Sequence, residues 1–251
     1  MCPHPNPLPE GEGVIMKIAL TIIAHNEEQN IEKCLASALR QTLKPEEIIV
    51  ICHNCDDKTF EIASKFKGMQ VIDFKGLEGV VYARAKAYES VSSNIEIITA
   101  TDGDCFLNKK WLENLVKPFA DEKVVATGGA IYFSNSVWAN LMSLSFFFLD
   151  PFFRRNFVYF FWGASHAFRK KTYEMTGGLK GLIELKKEVS LHYWAEDLYS
   201  SLSLNKFGSV KFVSDSVVWT KSPKLNFGQW LKRGKWQDED RLKIFKHFGL
   251  S

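Results

Sequence analysis

Long hydrophobic runs are missing from this chain, and so is the apolar core of a signal peptide. The most apolar stretch, between Val137 and Trp162, is broken by Asp150-Pro151 and Arg154-Arg155. Its longest uninterrupted piece therefore falls well short of the roughly 20 residues that cross a bilayer, which argues against a transmembrane helix there. Cysteine is scarce: five residues, an odd number without a regular framework, argue against a disulfide scaffold and for reduced thiols in a cytosolic setting. Cys52 and Cys55 form a Cys-x-x-Cys, but no second pair exists to complete a zinc site, so they read as core or loop thiols. An excess of one charge is also missing. The net charge is +3 and the basic residues are scattered, which argues against a nucleic-acid partner.

What is present fits one large α/β domain, since 251 residues can bury a sizeable core. Residues 1–15 carry prolines at positions 3, 5, 7 and 9 and glycines at 11 and 13, and are expected to be disordered. Their wording looks like translated upstream repeat sequence, so Met16 is expected to be the true start. From Lys17 the pattern alternates. Lys17 to Ala24 is a near-continuous apolar strand, and Ile31, Cys34, Leu35, Ala38 and Leu39 follow it at helical spacing. Asn26 or a neighbour is expected to cap that helix, with Glu27 and Glu28 in its first turn. A second strand, Glu47 to Ile51, leads into a helix containing Phe60, Ile62, Ala63 and Phe66. A third strand, Met69 to Phe74, precedes a helix from about Val80 to Val91. This alternation predicts a parallel, layered sheet with right-handed crossovers.

The stretch from Ile95 to Cys105 is the centre of the reading. A run rich in β-branched residues ends in Asp102-Gly103-Asp104, two carboxylates at the carboxyl end of a strand, where open α/β sheets bind ligands. Two acids so close repel unless a cation lies near, and a hard divalent ion suits oxygen ligands. A plain Asp-Gly turn is the alternative.

The order of motifs resembles the family-2 glycosyltransferases, which have the GT-A fold, from about Lys17 to Thr220. Ile23-Ala24-His25-Asn26-Glu27-Glu28 is similar to the family's Pro-Ala-Tyr-Asn-Glu-Glu, which lies along the nucleotide. Asp102-Gly103-Asp104 matches the Asp-x-Asp metal motif. Gly79-Val80-Val81-Tyr82-Ala83-Arg84 looks like Gly-x-x-x-Ala-Arg, whose basic residue faces the diphosphate. Gly163-Ala164-Ser165-His166-Ala167-Phe168-Arg169, then Gly177-Gly178-Leu179, looks like the stretch ahead of the catalytic acid. Glu196-Asp197 matches the pair whose aspartate is the family's usual base. The resemblance implies a Rossmann-like, mostly parallel sheet flanked by helices, with a nucleotide lobe over 16–105 and an acceptor lobe over 106–220. It implies Mn2+ or Mg2+ on Asp104 and Asp102, a UDP- or GDP-linked sugar as donor, and Gly163, His166 and Trp236 on the acceptor side. Departing diphosphate would be stabilised by the metal, with help from Arg84, and Asp197 would deprotonate the acceptor hydroxyl in an inverting, in-line attack. The plain alternative for Glu196-Asp197 is two acids in the first turn of a helix.

Departures matter too. Where many members carry a base-reading aspartate after the second strand, this chain has Cys52 and His53. Asn54 offers an amide to a base edge, and Asp57 with Thr59 matches the Asp-x-Thr that follows, although Asp57 serves equally as a helix cap. Gln229, Trp230, Arg233 and Trp236 only loosely echo the Gln-x-x-Arg-Trp of processive members, so polymer synthesis is not expected. The aromatic segment between Val137 and Trp162 fits either an acceptor-lobe core or a membrane interface that meets a lipid-linked acceptor. Residues 221–251 form a basic, aromatic, helical tail, suited to an anionic lipid surface, to a bound diphosphate or simply to solvent. The expected protein is an inverting, metal-dependent glycosyltransferase acting on a saccharide or lipid-linked hydroxyl, cytoplasmic and at the inner face of the membrane if the aromatic segment meets lipid. A non-catalytic nucleotide-sugar-binding protein of the same fold is the alternative, and a thiol redox protein built on Cys52 and Cys55 is the third.

Overall fold

The computed structural model describes residues 16–137, 140, 163–192, 195–221 and 238–250. Four strands and three helices alternate in the first half: β1 (Ile18–Ala24), α1 (Ile31–Leu39), β2 (Glu47–His53), α2 (Thr59–Ala63), β3 (Gln70–Phe74), α3 (Val80–Glu89) and β4 (Ile97–Asp102). There follow β5 (Phe106–Leu107), α4 (Trp111–Val116), a short 3-10 turn (Lys117–Ala120), β6 (Val124–Phe133), β7 (His166–Arg169), α5 (Lys170–Met175), α6 (Lys180–Val189), α7 (Glu196–Asn205) and β8 (Ser209–Thr220). Residues 238–247 form a last helix, α8.

The strands make one sheet in the order β3-β2-β1-β4-β7-β6-β8-β5. Its first four strands are parallel, as the alternation predicts. The remainder is mixed: β7 runs antiparallel to β4 and β6, β8 parallel to β6, and β5 antiparallel to β8. No periodic signal in the second half distinguishes these pairings, because each strand there is defined by its partners.

β1 is buried over all seven residues, and its alternate side chains feed two cores. Ala19 and Ile23 face one that contains Val81, Ala87 and Tyr88 of α3 with Leu198 and Leu202 of α7. Leu20, Ile22 and Ala24 face another, built with Ile31, Leu35 and Ala38 of α1 and Trp111 and Leu115 of α4. The sheet is thus sandwiched by helices. Threonines inside it bond locally: Thr21 Oγ1 donates to the Thr99 carbonyl (2.9 Å) and Thr99 Oγ1 to that of Ala19 (2.8 Å).

Three local expectations are corrected. α1 begins at Ile31, with Asn30 rather than Asn26 at its N-cap position and Glu32 as the acid of its first turn. Glu27 and Glu28 lie in the turn ahead of it, where tertiary bonds hold them. α2 is one short turn ending at Ala63, so Phe66 lies beyond it. On α8, Ile244 and Phe245 are buried in the core, so this part of the basic, aromatic tail faces neither solvent nor lipid.

Candidate active site

The carboxyl ends of β1, β2 and β4 open onto one cleft of about 870 Å³, a volume ordinary for a small-molecule site. Its walls include Ile23 through Glu27, His53, Asn54, Lys75, Gly79 and Asp102 through Asp104. Asp102 ends β4 opposite Ile23 of β1. The chain then turns, with Cys105 N donating to the Asp102 carbonyl at 3.1 Å. Asp-Gly-Asp is thus a turn, and Asp102 and Asp104 both line the cleft. Gly103 is required for close approach. A Cβ there would lie 2.8 Å from Ala24 Cβ and 3.2 Å from Ile31 Cδ1.

The two acids have different partners. Asp102 Oδ1 accepts from Arg84 Nη2 at 2.8 Å. Asp104 Oδ2 accepts from the Thr220 hydroxyl at 2.7 Å, and its Oδ1 receives only a weak contact from Cys105 Sγ at 3.4 Å. Glu27 adds a third carboxyl to the same end of the cleft. Burial raises its pKa first, the Asn30 amide lowers it, and Asp104 and Asp102 raise it further.

Arg84 is buried, 2% exposed, and its guanidinium also donates from Nε to Glu196 Oε1 at 3.1 Å. Burial alone would lower its pKa, but Asp102 and Glu196 outweigh that and hold the charge. The sequence expectation aimed this arginine at a diphosphate; its contacts place it behind Asp102, between two carboxylates. Gly163 is part of the same arrangement, because a Cβ there would fall 2.7 Å from Arg84 Nη2 and 3.2 Å from Glu196 Oε1.

Glu196 and Asp197 open α7, which is preceded by Ala195 in a left-handed conformation (φ 42°). Glu196 is committed to Arg84. Asp197 Oδ1 accepts from Leu198 N at 2.8 Å. Burial pushes the Asp197 carboxyl up to about 7, with the charge of Glu196 adding to the rise, while the Leu198 and Gly163 amides and Arg84 oppose it. A carboxyl titrating there is suited to general-base work near neutrality.

The first loop is held by a lattice of bonds. His25 Nδ1 meets the His53 carbonyl at 2.8 Å, and Asn26 Oδ1 accepts from Asp56 N at 2.8 Å. Glu27 N donates to Thr59 Oγ1 at 2.7 Å. Asp57 takes the amides of Thr59 (2.9 Å) and Glu28 (3.0 Å) together with the Thr59 hydroxyl. Burial tends to raise the Asp57 carboxyl, but these bonds prevail and hold it low. The structure thus gives Asp57 a bracing role at the start of α2. Asn54 pairs its amide with the Gly76 peptide, donating and accepting at 3.0 Å. His53, beside it, is buried and stacked on Phe74 with ring centroids 5.2 Å apart, and burial lowers its pKa.

Other expected residues fall elsewhere. His166 is 2% exposed on β7, and its Nε2 meets Tyr88 Oη at 2.8 Å, so it belongs to the core. Trp236 and nearly all of the aromatic segment (138–139 and 141–162) lie outside the described residues, as do residues 1–15. Cys52 and Cys55 are buried free thiols, and burial pushes Cys52 up to about 12, the wrong direction for a reactive thiol. Thr220 and Lys75 were missed by motif reading, and neither carried a signal in the sequence; Thr59 was read only as the partner of Asp57 in Asp-x-Thr.

A half-parallel sheet with two acids at a strand end, joined through Arg84 to a helix that opens with two more, frames the cleft. The comparisons agree: the family described as Glycosyl transferase family 2 matches residues 20–176, and the chain belongs to it. Glycosyltransferase AglE of Haloferax volcanii is 29% identical over 123 residues, 47% of this chain and 40% of that protein. Glycosyltransferase GlyA of Streptococcus pneumoniae serotype 4 is 28% identical over 125 residues, 48% of this chain and 18% of that protein. These matches span less than half the length of both relatives. Among solved structures, the mannosyltransferase PcManGT of Pyrobaculum calidifontis, in complex with GDP-Man and Mn2+, superposes with a TM-score of 0.66 at 19% identity, covering 92% of this chain and 63% of that one. Glucosyl-3-phosphoglycerate synthase of Mycobacterium tuberculosis, with Mn2+, UDP and phosphoglyceric acid, gives 0.62 at 15% identity, covering 94% and 80%. Both likenesses establish the GT-A fold.

Proposed function

We propose that the protein is an inverting, metal-dependent glycosyltransferase that moves a sugar from a UDP- or GDP-linked donor to a hydroxyl acceptor. The observation that carries this reading is Arg84, whose one guanidinium joins Asp102, at the carboxyl end of β4, to Glu196, the chain neighbour of Asp197.

The donor set suits a hard divalent cation. Among the described residues Asp104 lines the cleft without an ion pair and no group of three His, Cys, Asp or Glu ligands is found, so donor diphosphate oxygens would complete the shell. Such an ion supplies charge stabilisation to the departing diphosphate. This chain's own residues do the rest. Asp104 would hold the cation, Asp102 stays on Arg84, and Asp197 would remove the proton of the acceptor hydroxyl. The two solved relatives, one with GDP-Man and one with UDP, each with Mn2+, support the donor class and the metal.

The acceptor assigned is a saccharide hydroxyl, lipid-linked or of the cell envelope, with the protein at the inner face of the membrane. That assignment rests on the aromatic composition of 137–162, and sedimentation with anionic liposomes at low salt tests it. Calorimetry with UDP and GDP, each with and without Mn2+, tests the main reading. One nucleotide should bind in a metal-dependent way, and Asp104→Ala should abolish that dependence. Binding of neither would favour a non-catalytic protein, a reading kept alive by Cys52 and His53, neither of them a carboxylate, where a base-reading acid is expected.

A further inference from the structure

Thr220 carries the inference, and its place is set by the sheet. β8 pairs with β6 up to Val213 opposite Gly129, and pairing resumes with Val217 opposite Ala130. Ser214, Asp215 and Ser216 are thus bulged out, and the strand re-aims before its last residues. Beyond the bulge β8 meets β5, with Phe106 opposite Trp219 and Leu107 opposite Val218, which brings Thr220 alongside the Asp104-Cys105 peptide. The Thr220 backbone is pinned from the other side as well: it pairs with Phe133, and its carbonyl accepts from Ser134 N at 2.9 Å.

A β-branched side chain on so fixed a backbone has few rotamers to choose from. Its hydroxyl donates to Asp104 Oδ2 at 2.7 Å. A terminal carboxylate torsion is otherwise broad, so this bond, far shorter than the 3.4 Å contact from Cys105 Sγ, sets which way the other oxygen of Asp104 faces. Asp102, its neighbour in the motif, is spent on Arg84. Asp104 is therefore the acid whose orientation matters for a cation.

We propose that Thr220 is a positioning residue for the divalent cation, holding the Asp104 carboxylate from β8 so that one oxygen is presented to the ion; this rests on the metal reading above. Groups that orient a ligand in this way typically change metal affinity by about 10–100-fold when removed. A shell of the Asp104 carboxylate and donor phosphate oxygens would be all oxygen, which would suit Mg2+ and Mn2+ alike.

The test is Mn2+ binding to the full chain, followed by electron paramagnetic resonance in the presence of UDP or GDP. Thr220→Val, which keeps the shape and loses the hydroxyl, should weaken Mn2+ binding about tenfold or more. Thr220→Ser should restore it, and nucleotide binding without metal should not change. Thr220→Ala repeats the test should the valine variant fold poorly. If Asp104→Ala loses Mn2+ while the hydroxyl-free variants bind it as the wild type does, this proposal alone is overturned. If Asp104→Ala also keeps Mn2+, the metal reading falls and takes the proposal with it.

Discussion

Asp197 shows how far the surroundings of one side chain decide its chemistry. Its ordinary pKa of 3.8 rises to about 7 because burial disfavours the charge and Glu196 repels it. The rate at limiting substrate should therefore climb with pH to a plateau above about 7, and a pH profile of kcat/KM checks this. Asp197→Asn should lower kcat by about 10²–10⁴-fold. The same shift affects stability. Below the ordinary value the carboxyl is protonated in both states. As pH rises towards 7 the folded state keeps a proton that the unfolded state has released, so stability falls, and above 7 the loss is complete. The asparagine variant escapes that loss. It should match the wild-type melting temperature at acid pH and exceed it at neutral pH and above. No gain on raising the pH would show that Asp197 is ionised at ordinary acidity.

Arg84 poses the opposite problem, a buried cation between two acids. Arg84→Met would leave Glu196, 12% exposed, and Asp102, 33% exposed, without their partner. Removing one member of a buried pair costs roughly 3–5 kcal/mol, and the partial exposure of Asp102 argues for the lower end. A urea midpoint within error of the wild type would show that the triad is solvated.

At the scale of elements, the first loop and α2 are joined by polar bonds through Asp57 and Thr59. Asp57→Ala removes bonds to Thr59 and Glu28 and should cost about 1–2 kcal/mol, with weaker binding of the nucleotide. Thr59→Val, which cannot accept from Glu27 N, should reproduce that weakening by loosening the same loop. Were Asp57 instead a reader of the base, it alone would alter the preference between UDP and GDP. Motif reading left both roles open; the bond directions favour the brace.

The whole molecule adds α8 to the fold. Ile244 is fully buried, and Asp240 accepts from His192 N at 3.1 Å, a few residues ahead of Asp197. Ile244→Ala should cost about 2–4 kcal/mol by denaturant unfolding, against within about 0.5 kcal/mol for a helix lying free of the core. A basic, aromatic tail read from composition alone gave no sign of this, because one isoleucine at a helical position looks the same in solvent or in a core.

The sequence by itself determined the parallel half of the sheet, since apolar runs alternating with helical spacing are a local pattern and β-strands buried on both faces need such runs. It also determined the place of the acids, because a strand that ends in Asp-Gly-Asp can put them only at its carboxyl end. What each acid does was decided by tertiary structure alone. Asp102 meets Arg84 across 18 positions of sequence, through the packing of α3 on the sheet, and Asp104 meets Thr220 across 116, through strand register. His166, expected beside the acceptor, went to the core for the same reason: its strand pairs between β4 and β6, and Tyr88 was there to meet it. Periodicity reports which face a residue takes, whereas the group it finds there depends on chain segments that come together only when the sheet closes.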